Sequence, residues 1–344
     1  MDKKNNLSET LRKYTNIYEY KNNKWNVIVT EYGGRIIGIF PRNQYNMLWV
    51  NPDLEKVLIE KNWNLGGARI WISPEKNFYY KNPTNFEEWT CQKDLDPGNY
   101  IIREKDANSV KLENKFRIYD FLNNITLSGI IMREIIFEKA DDILKIHIYE
   151  NLVTDNFTGS LIDLWALVQV NPSINGAGTV IVPVKENAKP IPYFGDIPDK
   201  YLICDKEAIF FRIDSLKVLK LGVRPEDLPI EGIGRIGYIA KISDTEYMFL
   251  MLYSRCCPRK QDECLDLPKN PKIQVKGCIQ SYNSGPEGDF QGFGEIEMHF
   301  MPCGKIEDRL ISRIDYDLIA YIGDEREVLE KAKEFLDIGH IELF

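Results

Sequence analysis

Two short segments of the chain carry polar side chains at every second position. Residues 66–75 read Gly66-Gly67-Ala68-Arg69-Ile70-Trp71-Ile72-Ser73-Pro74-Glu75. Side chains of a strand alternate between its two faces, so one face would be apolar and the other polar. The polar face would carry Arg69, Trp71, Ser73 and Glu75. A cation, a flat ring, a hydroxyl and a carboxylate suit a neutral polyhydroxylated ligand, and the alternative is an ordinary strand whose polar face is wet.

The second segment lies late in the chain and reads Gly294-Glu295-Ile296-Glu297-Met298-His299-Phe300. As a strand it would place Glu295, Glu297 and His299 on one face. Neighbouring carboxylates repel each other, and where water is scarce one of them can act as a general base. The alternative is an exposed strand face on which both glutamates stay ionised and solvated.

Two further segments offer candidate binding residues. Residues 280–290 form a polar, glycine-rich segment that we interpret as a loop, in which Tyr282 and Asn283 could bind sugar hydroxyls. No phosphate-binding pattern occurs there, and a hairpin connection is the alternative. Residues 161–170 are strongly apolar and indicate a buried central strand, with Trp165 and Gln169 on the same face.

These segments belong to a pattern of short β-prone stretches. Between residues 17 and 320 they follow one another at a spacing of roughly 8–15 residues, without β–α–β alternation. Residues 324–336 have an acidic first turn, late lysines and one apolar side, which predicts a helix. We therefore predict an all-β fold, a large antiparallel β-sandwich over 17–320. An arm (1–16) would precede it, and a helix (321–344) would pack on it.

Composition excludes several classes of protein. The 344 residues carry a net charge of −8 and no long basic run, which argues against nucleic-acid binding. No signal peptide and no membrane-spanning apolar run is visible, so we expect a cytoplasmic protein. The seven cysteines are odd in number and irregularly spaced, which indicates reduced thiols. The three histidines form no sequence-local metal pair, so we expect neither a metal nor a cofactor.

Segment 66–75 resembles the Gly-Gly-x-Arg-Leu-Trp-x-Ala-Pro-Glu signature of one branch of the galactose mutarotase-like (aldose epimerase-like) superfamily. Weaker matches follow in the same order at residues 32–39, 132–135, 149–152, 164–167, 220–223, 237–240, 248–250 and 293–297. The resemblance covers roughly residues 17–320 and implies a supersandwich with a sugar-binding cleft.

In the mutarotases of that superfamily a late glutamate is the general base and a central-strand histidine the general acid. Carried over by position, Arg69 matches a sugar-binding arginine, and Glu295 or Glu297 resembles the base. The histidine has no match, since no histidine occurs from residue 148 to 298. An acid would have to come from Tyr282, Glu75 or His147.

The leading hypothesis is a carbohydrate-binding protein; if it is an enzyme, it would be a sugar epimerase or mutarotase with a late-strand glutamate as base. Its partner would be a small-molecule carbohydrate, and the oligomeric state is open. The predicted cleft uses Arg69, Trp71, Glu75, Trp165, Gln169, Tyr282, Asn283, Glu295 and Glu297. The alternatives are a non-catalytic sugar-binding or regulatory module and an enzyme resembling a polysaccharide lyase.

Overall fold

The fold is built from antiparallel strands and four helices in the computed structural model, which describes residues 3–42, 45–138, 142–286 and 292–344. The helices are α1 (Lys3–Arg12), α2 (Leu54–Glu60), α3 (Glu75–Phe78) and α4 (Glu325–Leu336). Single 3-10 turns occupy Tyr32–Gly34, Asp199–Tyr201, Pro225–Asp227 and Gln261–Glu263. The chain divides into two units. Unit 1 comprises Met1–Asp141, Ile146–Ala166 and Pro302–Asp315, and unit 2 comprises Asp142–Lys145, Leu167–Met301 and Tyr316–Phe344.

Unit 1 contains the first nine strands, most of a tenth, the start of an eleventh, and two late strands, of which the second continues into unit 2. They are β1 (Ile17–Lys21), β2 (Trp25–Thr30), β3 (Arg35–Pro41), β4 (Ala68–Ser73), β5 (Tyr80–Asn82), β6 (Glu87–Trp89), β7 (Ile101–Lys105), β8 (Ser109–Asp120), β9 (Ile125–Phe137), β10 (Leu144–Thr154), β11 (Asp163–Val170), β21 (Gly304–Ile306) and β22 (Arg309–Gly323). β1 to β4 are neighbours in one sheet, β7 to β10 in a second, and β5 pairs with β6. Along β8, β9 and β10 buried and more exposed residues alternate, as expected for sheets with one face in a core.

Unit 2 contains the remaining strands and the later parts of β11 and β22. They are β12 (Gly178–Pro183), β13 (Ile191–Pro192), β14 (Leu202–Cys204), β15 (Ala208–Ile213), β16 (Leu219–Val223), β17 (Gly234–Lys241), β18 (Tyr247–Ser254), β19 (Ile279–Asn283) and β20 (Gly294–His299). One sheet has the order β20-β19-β16-β13 and the other the order β14-β15-β12-β17-β18. The all-β, antiparallel fold class predicted from the sequence is confirmed.

Helix α4 begins and packs as its sequence predicts. Asp324 and Glu327 form a reciprocal capping box, with 2.8 Å between the Glu327 nitrogen and Asp324 Oδ1. The buried face of α4 carries Val328, Ala332 and Leu336, which join a core cluster from the unit 2 strands. Within the described ranges, none of the helices combines the length and apolar content needed to cross a membrane.

Two predictions about local structure need correction or comment. Residues 279–283 are a strand and not part of a loop. Of that predicted loop, residues 287–290 lie outside the described residues. The division into arm, sandwich and terminal helix stays a prediction.

Candidate functional site

In unit 1 the polar segment begins with two glycines that the backbone requires. Gly66 and Gly67 have φ values of 111° and 79°, in the region that favours glycine. A Cβ on Gly67 would lie 2.4 Å from the carbonyl oxygen of Ile36 on β3. The glycine pair therefore lets β4 start in close contact with its neighbour.

β4 ends at Ser73, so Glu75 does not share the strand face with Arg69 and Trp71. Glu75 instead opens helix α3. The polar side chains of β4 are not wet either, since Arg69 is 1% exposed and Trp71 3%. The wet-strand alternative is wrong for this segment, because other parts of unit 1 cover it.

Arg69 lies among aromatic rings beside a buried carboxylate. Its guanidinium carbon is 4.2 Å from the centroid of the Trp71 ring and 5.5 Å from that of Trp63. Arg69 Nε is 3.9 Å from Asp96 Oδ2. Asp96 also accepts hydrogen bonds from Trp71 Nε1 at 2.7 Å and from Arg35 Nη2 at 2.7 Å. Cation–π contacts and paired charges of this kind stabilise a buried guanidinium.

Trp165 and Glu75 extend this cluster. The Trp165 ring meets that of Trp71 edge-on, with 5.6 Å between centroids. Glu75 Oε1 accepts a hydrogen bond of 2.9 Å from Trp89 Nε1, and the Trp89 ring is 6.4 Å from that of Trp71. Unit 1 therefore brings together Arg69, Trp71 and Trp165, and reaches Glu75 through Trp89.

Burial strongly perturbs two other groups beside the cluster. Burial raises the pKa of Tyr79 well above its ordinary value, and nearby Cys91 and Asp96 add to the effect. Burial also raises the pKa of the Cys91 thiol, and the Asp96 charge raises it further. Both groups stay protonated at neutral pH, so neither is a ready nucleophile.

In unit 2 one face of β16, β19 and β20 collects polar side chains in two rows. Lys220, Tyr282 and Glu295 stand directly opposite one another across the three strands. In the next row Gln280 stands opposite Glu297. Residues directly opposite in a sheet share a face. We call this set (Lys220, Gln280, Tyr282, Glu295 and Glu297) the polar face.

The central contact of the polar face is an ion pair between Lys220 Nζ and Glu297 Oε2, which are 3.0 Å apart. Glu297 is fully buried and Lys220 is 3% exposed, whereas Tyr282 and Glu295 each keep 7%. The alternative of an exposed strand face with two solvated glutamates is wrong for this strand. A buried carboxylate and a buried ammonium in contact form an acid–base pair held in a medium of low dielectric constant.

Aromatic residues border the ion pair. Lys220 Nζ lies 5.7 Å from the ring centroid of Tyr193 and 5.8 Å from that of Phe194. The Tyr282 ring is 6.0 Å from that of Phe194. Tyr193 packs against Gly222, where a Cβ would approach its ring to 2.4 Å. Burial raises the pKa of Tyr193 well above its ordinary value, and Asp266 adds to the effect.

The remaining predicted residues have separate surroundings. Asn283 is buried and its Oδ1 accepts hydrogen bonds from the nitrogens of Asp214 and Ser215, each at 2.9 Å. By alternation it faces away from Tyr282, and its contacts hold a loop. Gln169 is fully buried in the part of β11 that belongs to unit 2. His147 lies on β10 in unit 1, where its Nε2 contacts Glu138.

Several residues of these clusters were missed from the sequence. They are Trp63, Trp89 and Asp96 in unit 1, and Lys220, Gln280 and Asp266 in unit 2. Lys220 offered a signal, because it stands alone among apolar residues in Leu219-Lys220-Leu221-Gly222-Val223. It is the one buried lysine among the residues that the structure describes. The described part of the chain also holds no group of three or more His, Cys, Asp or Glu side chains placed to bind a metal ion.

The sequence profile of a protein family described as "Family of unknown function (DUF6786)" matches residues 4–152 and 151–296. The chain belongs to this family. No curated protein sequence matches it.

Solved structures give the fold a wider setting. The chain is similar to the Slr1438 protein from Synechocystis sp. PCC 6803, with a TM-score of 0.52 and 9% identity, covering 90% of this chain and 96% of that one. It is also similar to a putative mutarotase (YeaD) from Salmonella typhimurium, with a TM-score of 0.49 and 10% identity, covering 91% of this chain and 92% of that one. A third similar structure is a galactose mutarotase-like protein from Lactobacillus casei, with a TM-score of 0.46 and 12% identity, covering 90% of this chain and 100% of that one. At such identities the likeness concerns the fold alone, and at that level the resemblance to galactose mutarotase-like proteins is confirmed.

Proposed function

We propose that this protein binds a carbohydrate at the polar face of unit 2 and interconverts its anomers, with Glu297 as general base and Lys220 as general acid. The observation that carries the proposal is the 3.0 Å contact between Lys220 Nζ and Glu297 Oε2. Anomer interconversion needs one group that accepts a proton and one that donates a proton. A carboxylate and an ammonium at rest already have those two protonation states.

The reaction follows from these roles. Glu297 takes the proton of the anomeric hydroxyl while Lys220 gives a proton to the ring oxygen. The bond between the anomeric carbon and the ring oxygen breaks, which leaves an open-chain aldehyde. Rotation of the aldehyde and closure in the reverse sense give the other anomer, and both residues recover their starting states.

The surroundings of the pair support a sugar as ligand. Tyr282 and Phe194 supply rings that can pack on the apolar face of a sugar. Tyr282 and Glu295 keep the largest exposure on the polar face, so a ligand would reach Lys220 along their row. Glu295 would accept hydrogen bonds from sugar hydroxyls there. The fold likeness agrees with a sugar-related role.

Anomer exchange measured by polarimetry and by NMR, over a panel of neutral and acidic aldoses, tests the proposal. Glu297→Gln should slow exchange by about 10²- to 10⁴-fold, the contribution of a positioned acid or base. Glu334→Gln, on the exposed side of α4, is the matched control and should leave exchange unchanged. A folded Glu297→Gln variant with full activity would contradict the assignment.

A non-catalytic sugar-binding module is the second candidate, and the complete burial of Glu297 favours it. In that case the role of the enclosed carboxylate is to hold Lys220 in place through their 3.0 Å contact. Sugar binding, measured by calorimetry, without any acceleration of anomer exchange would support the module over the enzyme.

A further inference from the structure

We propose that Lys220 forms a covalent imine with the aldehyde carbon of a ring-opened aldose or another small hydroxyaldehyde. The proposal rests on the proposed function for the origin of the aldehyde. The amine–aldehyde chemistry is nevertheless tested separately with an aldehyde supplied directly.

The first step comes from the charge state of the pair after ring opening. Glu297 has then gained a proton and Lys220 has lost one, so a neutral amine stands beside a carboxylic acid. With an aldehyde supplied directly, transfer of one proton from Lys220 Nζ to Glu297 Oε2 across their 3.0 Å contact gives the same neutral pair. A neutral lysine amine in apolar surroundings is a nucleophile suited to carbonyl carbons. The rings of Tyr193 and Phe194, each within 5.8 Å of Nζ, supply such surroundings.

The following steps balance without any co-reactant. The lone pair of Nζ forms a bond to the aldehyde carbon, and the carbonyl π pair moves to oxygen, which takes the proton released from nitrogen. The resulting carbinolamine loses its hydroxyl as water when Glu297 donates its proton to that oxygen. The products are a protonated imine, one water molecule and the Glu297 carboxylate.

Net charge explains why this site tolerates the intermediate. Before reaction the buried pair consists of an ammonium and a carboxylate 3.0 Å apart. After reaction it consists of an iminium and the same carboxylate. No unpaired charge is left in the interior at either end, and an unpaired buried charge is the costly case.

The position of Lys220 lets the aldehyde carbon reach Nζ from one side while Glu297 contacts Nζ from another. Lys220 stands in the row with Tyr282 and Glu295, which keep 7% exposure. Glu297 stands in the next row and is fully buried. The aldehyde therefore approaches Nζ from the Tyr282 side, while Glu297, which transfers the protons, lies on the buried side of Nζ.

Reductive trapping tests the inference. The folded protein is incubated with glycolaldehyde, the smallest hydroxyaldehyde, and sodium cyanoborohydride, and adducts are mapped by peptide mass spectrometry. Lys220 should be alkylated at least about tenfold faster than the exposed Lys206 and Lys305, since a positioned acid–base partner contributes on the order of 10²-fold. Glu297→Gln should remove that advantage.

Two variants keep the result interpretable. Lys220→Arg retains a cation beside Glu297 but forms no imine under these conditions. This variant should therefore lose the adduct at position 220 and keep those on Lys206 and Lys305. The double change Lys220→Met with Glu297→Leu removes both charges of the buried pair together. In this folded variant the labelling rates of the exposed Lys206 and Lys305 are measured without the pair.

Labelling of Lys206 and Lys305 without labelling of Lys220 overturns the imine. Labelling of Lys220 at the same rate in Glu297→Gln overturns the proton-shuttle role. Anomer exchange without trapping would leave the proposed function intact, whereas trapping without exchange would overturn the proposed function and support the imine.

Discussion

The buried pair of Lys220 and Glu297 predicts strong energetic coupling between two strands of unit 2. The perturbation is a double-mutant cycle of Lys220→Met, Glu297→Leu and their combination. Both replacements are apolar and close in volume to the residues they replace, so the cycle isolates the loss of charge.

The magnitude follows from the geometry. At 3.0 Å and an effective dielectric constant of about 20, two unit charges attract by about 5.5 kcal/mol. Removing one partner takes this ionic contact away from a buried charge, so each single variant should lose about 3–5 kcal/mol of unfolding free energy. The double variant should stay close to the wild type or exceed it, because two desolvated charges have been replaced by packed apolar groups.

Urea unfolding followed by tryptophan fluorescence and by circular dichroism measures these values. The two signals must report the same transition before a single unfolding free energy is assigned. The pair Lys331–Glu334 on α4 is the matched control, since its 2.7 Å contact is exposed to solvent. There the single and double variants should show no measurable coupling.

Additive effects at Lys220 and Glu297, each small and like those of the control pair, would refute the reasoning. That result would mean that water reaches the pair freely, contrary to the burial of both side chains. It would also remove the low-dielectric setting on which the proposed chemistry depends.

Three further outcomes are expected. Burial and the Asp266 charge raise the pKa of Tyr193 above its ordinary value of 10.0. As the pH rises, the unfolded chain therefore loses this proton before the folded chain does, and the free energy of unfolding falls above about pH 10. Tyr193→Phe should make the free energy of unfolding less dependent on pH in this alkaline range. An unchanged slope would contradict this. Gly67→Ala should cost about 2 kcal/mol or more in urea unfolding, because φ is positive and Cβ would lie 2.4 Å from the Ile36 oxygen; a neutral effect would argue against the close contact. Cys204 is exposed and should react first with Ellman's reagent, whereas burial raises the pKa of Cys303 to about 12 and should delay its reaction until unfolding. Equal rates for the two thiols would refute the last expectation.

The strands that carry the candidate residues could be predicted because their signals are local. Alternation within residues 66–75 and 294–300 predicted two strands, which the structure has as Ala68–Ser73 and Gly294–His299. The apolar run 161–170 predicted the buried strand Asp163–Val170, and charge and apolar spacing predicted helix α4. Each signal depends on residues a few positions apart, so composition and period were enough.

The partners of these residues could not be predicted, because they are remote in the chain. Asp96 reaches Arg35 across 61 positions of sequence. Lys220 meets Glu297 only because β16 and β20 flank the same strand, β19. The prediction that Glu75 shares a strand face with Arg69 and Trp71 was wrong, because alternation of residue types does not indicate where a strand ends, and β4 ends at Ser73.

Within the bounds of each strand, the sequence by itself determined which side chains share a face, because alternation is a property of the extended backbone. It determined the all-β class and the resemblance to galactose mutarotase-like proteins as well. Whether a polar face is wet or enclosed was decided only by the tertiary structure, since burial depends on what covers the strand. At Glu297 that covering, with Lys220 in contact and Tyr193 alongside, turns an ordinary glutamate into half of a buried acid–base pair.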